Sequence, residues 1–269
     1  MNLVRMNLYR FFKSKSFYVF LIITISFVAM VIIMKKVNDN MAPDKQFIAQ
    51  EVASEEENDV GITVGVGKLT DVYEVCNGFL GSGLIMMFIA IFVVMYTNAE
   101  RASGYLKNLT TLPYSRTLIV LSKIVPILLF VTIEILAVCI TSLLLGLQVK
   151  DFPLLMKYVM IQWLLSAAFG MMNVFIMEVF RSLTAGLLIG ICVSLGLGLA
   201  GMMYFESFLQ NVLGNSNIGI SNHLLVAFVR GIDPSNITKF AIPAIISALI
   251  GLAGYTGLSV LITHKRDMY

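Results

Sequence analysis

An all-α, polytopic membrane protein with six transmembrane helices is the fold class this sequence predicts, and three observations predict it. Hydrophobic residues make up 58% of the 269 residues and charged residues only 13%, against roughly 45–50% and about 25% in soluble domains. Mean hydropathy is +0.87. The apolar residues gather into six runs of about 20 residues, the length of helix that crosses a bilayer core. Residues 1–269 read as one transmembrane domain.

The runs follow in order. Residues 1–16 place Val4, Leu8, Phe11 and Phe12 on one helical face and Asn2, Arg10 and Lys13 on the other. An N-terminal elbow helix lying in the membrane interface fits that pattern, as does a bent continuation of the first span. The first span is Phe17–Met34. Its basic flank looks like a signal peptide, but Met34-Lys35-Lys36 stands where cleavage needs small residues, so it reads as a signal anchor. Residues 35–75 carry nine acidic residues against four lysines. They predict a solvated extracellular loop, too short for a domain of its own, with Gly61–Gly67 as a short strand or loop. The second span is Cys76–Thr97, followed by an inner loop over 98–117 that carries Gly104 and Pro113. That punctuation predicts a short helix, a turn and a new helix start at Ser115. Leu118–Gly146, Leu155–Met177 and Leu183–Tyr204 are spans three to five. Within 205–240, Phe205–Leu213 and Ser221–Arg230 are helical patterns too short to cross. They predict outer-leaflet half-helices, which must be covered by protein. Ala241–Thr263 is the sixth span.

Orientation follows from Lys and Arg. With both termini inside, 11 of the 19 basic residues face the cytoplasm beside only Glu100, Glu178 and Asp267. The other side then holds 8 basic and 12 acidic residues. This arrangement, N-in and C-in, accounts for the net charge of +3 and leaves no nucleic-acid footprint.

Several chemistries lack their residues. Val64-Gly-Val-Gly67-Lys68-Leu69 has Ile62 where a P-loop needs its first glycine and Leu69 where it needs Ser or Thr. His223 and His264 lack zinc spacing, and no span carries a histidine base, so no metal and no catalytic residues are expected. Cys76, Cys139 and Cys192 have no paired spacing and read as packing residues.

Polar residues inside the runs define faces. Glu134 and Thr141 share one side of span three, and a mid-membrane carboxylate is costly enough to mark a path or a structural hydrogen bond. Gln162 and Asn173 share a side of span four, as substrate contacts or interhelical donors. Gly186, Gly190, Ser194 and Gly198 recur at every fourth position of span five, a helix-packing or dimer face.

The arrangement resembles the permease subunit of type-2 ABC exporters, the group that includes bacitracin, lantibiotic-immunity and phenol-soluble-modulin transporters. Arg10-Phe-Phe-Lys13-Ser-Lys15, Glu100-Arg101-Ala-Ser-Gly104-Tyr-Leu-Lys107 and Ser115-Arg116 through Lys123 carry the resemblance. It implies a bacterial cytoplasmic-membrane subunit that dimerises with a second permease, a homodimer being favoured. Two separate cytoplasmic ABC ATPase subunits would bind the ATP and magnesium, so the chain itself needs no cofactor and is no enzyme. Glu100, Arg101, Gly104 and Lys107 would then couple to the ATPase, with Arg10 and Lys13 on the elbow. Amphipathic or hydrophobic peptides (a toxin, bacteriocin or antimicrobial peptide) would be the cargo. Lipids or small amphiphilic drugs are the alternative cargo, and a non-transporting scaffold or sensor recruiting a soluble partner is the alternative function. A proton-coupled carrier built on Glu134 predicts internal repeats, and spans one to three do not resemble four to six.

Overall fold

The computed structural model describes residues 3–39, 71–104, 116–213, 224–232 and 236–265. Among them the chain is helical throughout, with one isolated bridge between Asp71 and Gln148 and no strand. In chain order the helices are α1 (Leu3–Lys13), α2 (Lys15–Asp39), α3 (Val72–Cys76), a π-helical turn (Asn77–Gly81) and α4 (Leu84–Ala102). Then follow α5 (Arg116–Leu121), α6 (Ile124–Leu144), α7 (Phe152–Phe180), α8 (Leu183–Ser194), α9 (Leu197–Leu213), α10 (Leu225–Gly231) and α11 (Ile237–Lys265).

Five helical stretches are long and apolar enough to cross a bilayer: Lys15–Val37, Leu84–Ala102, Thr117–Leu144, Phe152–Phe180 and Ile237–Lys265. A sixth span exists only if α8 and α9 are counted together, and these meet at 69°. The expected fifth span, Leu183–Tyr204, is therefore broken. Gly196 has φ +81, a left-handed value that ends α8 before α9 begins. The same break absorbs the first expected half-helix, because Phe205–Leu213 is the end of α9. Of the second, only Leu225–Gly231 is helical among the described residues. The acidic 35–75 stretch lies mostly outside the described residues.

The second span also shifts. The π turn and Gly83, at φ +84, separate α3 from α4, so the continuous helix starts at Leu84 and runs on to Ala102. Glu100 and Arg101 thus sit in the last helical turn of α4 and not in a loop.

Burial sorts the bundle. Two thirds of the apolar window of α4 and of α7 is buried, against 22% for α2 and 17% for α11. Exposed Ile22, Ile23, Met30 and Ile33 on α2, and Ile242, Ile246, Leu249 and Ile250 on α11, are the surface an acyl-chain solvent accepts. α11 packs chiefly along α7, and α8 packs against α4. α1 and α2 separate at Ser14, and the α1 face that turns inward is Leu3, Asn7 and Phe11. Phe12, expected on that face, is exposed.

Candidate functional site

Five charged residues meet where the C-terminal ends of α1, α4 and α7 come beside the start of α6. Glu100 on α4 is 1% exposed. Its Oε1 accepts from Arg10 Nη1 at 3.1 Å, and its Oε2 lies 3.3 Å from Lys123 Nζ without hydrogen-bond geometry. Lys123, at the short break between α5 and α6, donates to Glu178 Oε1 at 2.9 Å. Arg101 donates to Glu178 Oε2 at 2.6 Å and to the Met177 carbonyl at 2.7 Å, which also closes the C-terminus of α7. Three cations and two carboxylates therefore alternate across four elements.

The surroundings make these pairs matter. Phe92 and Phe130 stack at 3.8 Å beneath the cluster, and Phe11 packs edge-on to Phe92. Arg10 lies 5.7 Å from the centre of the Tyr96 ring. Asn7 donates to Ser122 Oγ at 2.7 Å, a further bond from α1 to the α5–α6 break. A poorly solvated cluster of this kind keeps its Coulombic strength only while every charge retains a partner.

The expected coupling residues are distributed as follows. Arg10, Glu100 and Arg101 belong to the cluster. Gly104 ends α4 with φ +66, and a Cβ there would meet nothing within 4 Å, so backbone conformation is its reason. Lys13 is exposed and lies over the Tyr9 ring at 5.6 Å. Lys107 falls outside the described residues. Lys123 and Glu178, absent from the expected set, complete the cluster. The available signal was their position: one opens an apolar run and the other closes the next, at the same level as Glu100.

Among the described residues, the four expected path residues share no hydrogen bond with one another. Glu134 is fully buried on α6 beside Thr24 of α2, and among the described residues neither of its oxygens nor Thr24 Oγ1 reaches full hydrogen-bond geometry. Thr141 lies two turns further along α6 and is also buried. Gln162 of α7 joins a separate chain: Tyr158 donates to Asn77 Oδ1 at 3.0 Å, and Gln162 donates to Tyr158 Oη at 3.2 Å and to the Val229 carbonyl at 3.0 Å. Asn173 donates to the Phe169 carbonyl on its own helix, and its Oδ1, beside Gly190, has no hydrogen-bond partner among the described residues. None of them lines the apolar groove of about 630 Å³ between α10 and α11, which Leu224, Phe228, Ile246 and Tyr255 help to line. Among the described residues no group of three ligating side chains could hold a metal.

No protein-family model matches this chain. No curated protein matches it at a significant level either.

Span five shows what the small residues do. Gly186, Gly190 and Ser194 are buried inside the chain, against α4 and α7. A Cβ on Gly190 would lie 2.6 Å from Asn173 Oδ1 and 3.1 Å from Ala90 Cβ, and one on Gly186 would strike Met177 Sδ. Gly198 lies past the break, near Val193 of its own segment. Gly186, Gly190 and Ser194 thus pack within the chain, while Gly198 is exposed.

A second node was not foreseen. Arg230 of α10 donates from Nη2 to the Ser82 carbonyl at 3.3 Å and to the Ser194 carbonyl at 3.2 Å. These carbonyls belong to the two helix breaks, beside Gly83 and Gly196, so one guanidinium satisfies backbone groups that both breaks leave open.

Proposed function

We propose that this chain is the membrane-spanning permease subunit of an ATP-driven exporter, acting as a dimer with a separate cytoplasmic ATPase to move amphipathic or hydrophobic peptides across a bacterial cytoplasmic membrane. The observation that supports this reading is the Arg10–Glu100–Lys123–Glu178–Arg101 cluster. It ties the N-terminal helix to three spans at the end where the chain turns into the 105–115 segment. A soluble motor pressing on that end would displace four elements as one body. In such a machine, ATP contributes only through the difference in cargo affinity between two permease states. The exposed rim, Lys13 together with Ala102 and Ser103 at the end of α4, is then the surface the motor grips. The buried charges transmit the displacement without touching the motor.

Co-expression with an ABC ATPase encoded beside the gene tests the reading. The pair should co-purify, and amphipathic peptides should stimulate ATP hydrolysis in proteoliposomes. A chain that purifies alone beside a folded ATPase, and leaves its hydrolysis unchanged, overturns it.

A further inference from the structure

Cys76 and Cys139 lie far apart in sequence, yet their sulfur atoms are 3.5 Å apart. Cys76 closes α3 and is fully buried; Cys139 lies on α6 and is half-buried. A disulfide needs sulfurs at about 2.05 Å, so bond formation asks for a closure of roughly 1.5 Å, within reach of modest side-chain rotation.

The backbone around the pair is already held. Val72 N–H donates to the Gln148 carbonyl at 3.1 Å, and Asp71 Oδ1 accepts from Lys150 N–H at 3.5 Å. Lys36 at the end of α2 donates to the Leu145 carbonyl. These contacts form a collar that fastens α3 and α2 to the turn after α6, and the two thiols sit within it. Cys192, on α8, has no such neighbour among the described residues.

We propose that Cys76 and Cys139 are a redox modification site, closing to an intramolecular disulfide that locks α3 onto α6. The co-reactant is a two-electron thiol oxidant such as a peroxide. The more accessible Cys139 thiol takes one peroxide oxygen to give a sulfenic acid and releases one water. The Cys76 thiol then attacks that sulfur, forming the S–S bond and releasing the second water. Two thiols and one peroxide thus become one disulfide and two waters, and a dithiol reductant restores both thiols. The reaction is independent of whether the chain is an exporter.

Intact-mass spectrometry of the full chain in detergent tests this. The protein is treated with peroxide or left reduced, quenched in acid, then denatured and alkylated. Reduced protein should take three alkyl groups. Oxidised protein should take one, on Cys192, with a further loss of 2 mass units from the bridge and full reversal by dithiothreitol (about 2 hydrogens leave per disulfide). In Cys192→Ser the numbers should be two and none. Cys139→Ser, which removes the thiol that takes the peroxide oxygen, should keep Cys76 and Cys192 alkylatable at the same oxidant dose, whereas Cys76→Ser should leave Cys139 as an unresolved sulfenic acid. Three alkyl groups after oxidation, a bridge mapped to Cys192, or linkage between chains would each overturn the assignment.

Discussion

Replacing Glu100 by Gln is the most informative single change. Glu100 is one of two carboxylates facing Arg10, Lys123 and Arg101. Glutamine keeps the volume and removes the charge, so the cluster goes from three cations against two anions to three against one. Lys123, whose side chain is 3% exposed, would then share Glu178 with Arg101, and Arg10 would lose its 3.1 Å ion pair with Glu100. Breaking a buried pair by removing one partner costs about 3–5 kcal/mol; Arg10 is 24% exposed and recovers part of this in solvent, so about 3 kcal/mol is the expected loss. Lys123→Met makes the opposite change. It leaves Arg10–Glu100 and Arg101–Glu178 as two matched pairs, so a loss of about 1 kcal/mol or less is expected, since an apolar side chain of similar length replaces a desolvated ion. Unfolding in mixed micelles, followed through the fluorescence of Trp163, measures both, and the double variant gives the coupling between them. Glu100→Gln within about 0.5 kcal/mol of the parent, or Lys123→Met costing more than Glu100→Gln, would show that the cluster is not balanced as described.

Four other changes follow from the geometry. Glu134→Met removes two unpartnered carboxyl oxygens from the α2–α6 seam, so stability should rise by roughly 1–3 kcal/mol; a fall in the same unfolding assay would reveal a partner for that carboxyl. Gly190→Ala forces a methyl against Asn173 Oδ1 and Ala90, so a loss of about 1–3 kcal/mol is expected. Gly254→Ala, where a Cβ meets nothing within 4 Å, should instead gain about 0.5–1 kcal/mol, and the two melting temperatures should move in opposite directions. Arg230→Met leaves the Ser82 and Ser194 carbonyls without their charged donor, so hydrogen exchange should accelerate across Leu195–Gly198 and Ser82–Ile85 while the Glu100 end keeps its protection.

Much of the fold was legible because a bilayer imposes a crude length rule on apolar runs. Spans one, three, four and six fall within a few residues of their expected places. Span two was misjudged at both ends for separate reasons. Its start depends on Gly83 adopting a left-handed conformation, and nothing in Leu80-Gly-Ser-Gly83 distinguishes that glycine from Gly81. Its end depends on Glu100 and Arg101 being neutralised by Arg10 and Glu178, which are distant in sequence. Hydropathy counts those charges as exposed. Span five was misread because Gly196 sits in a glycine-rich apolar run where three other small residues serve packing and only this one breaks the helix. Glu134 could be recognised as buried from its run alone, but its neighbour across the seam, Thr24, could not.

The two nodes divide the bundle mechanically. Glu100 lies about 24 Å along α4 from Leu84, at 1.5 Å per residue, so they occupy opposite ends of the same helix. At the Glu100 end, pulling α1 away separates Arg10 from Glu100, and pulling α4, α6 or α7 away breaks at least one further ion pair of the cluster. That costs several kcal/mol for each ion left unpaired. At the Gly83 end, α4, α8, α9 and α10 meet through breaks pinned by one guanidinium. Its bonds to carbonyls are worth about 1.5–3 kcal/mol each, and water can replace them wherever the node opens. Displacement entering at the charged end therefore carries the core helices together. Relative movement falls at Gly83 and Gly196, where the backbone is already outside helical geometry and the fewest charges must separate. Among the described helices, rotation of α9 and α10 against α4 therefore separates the fewest charges.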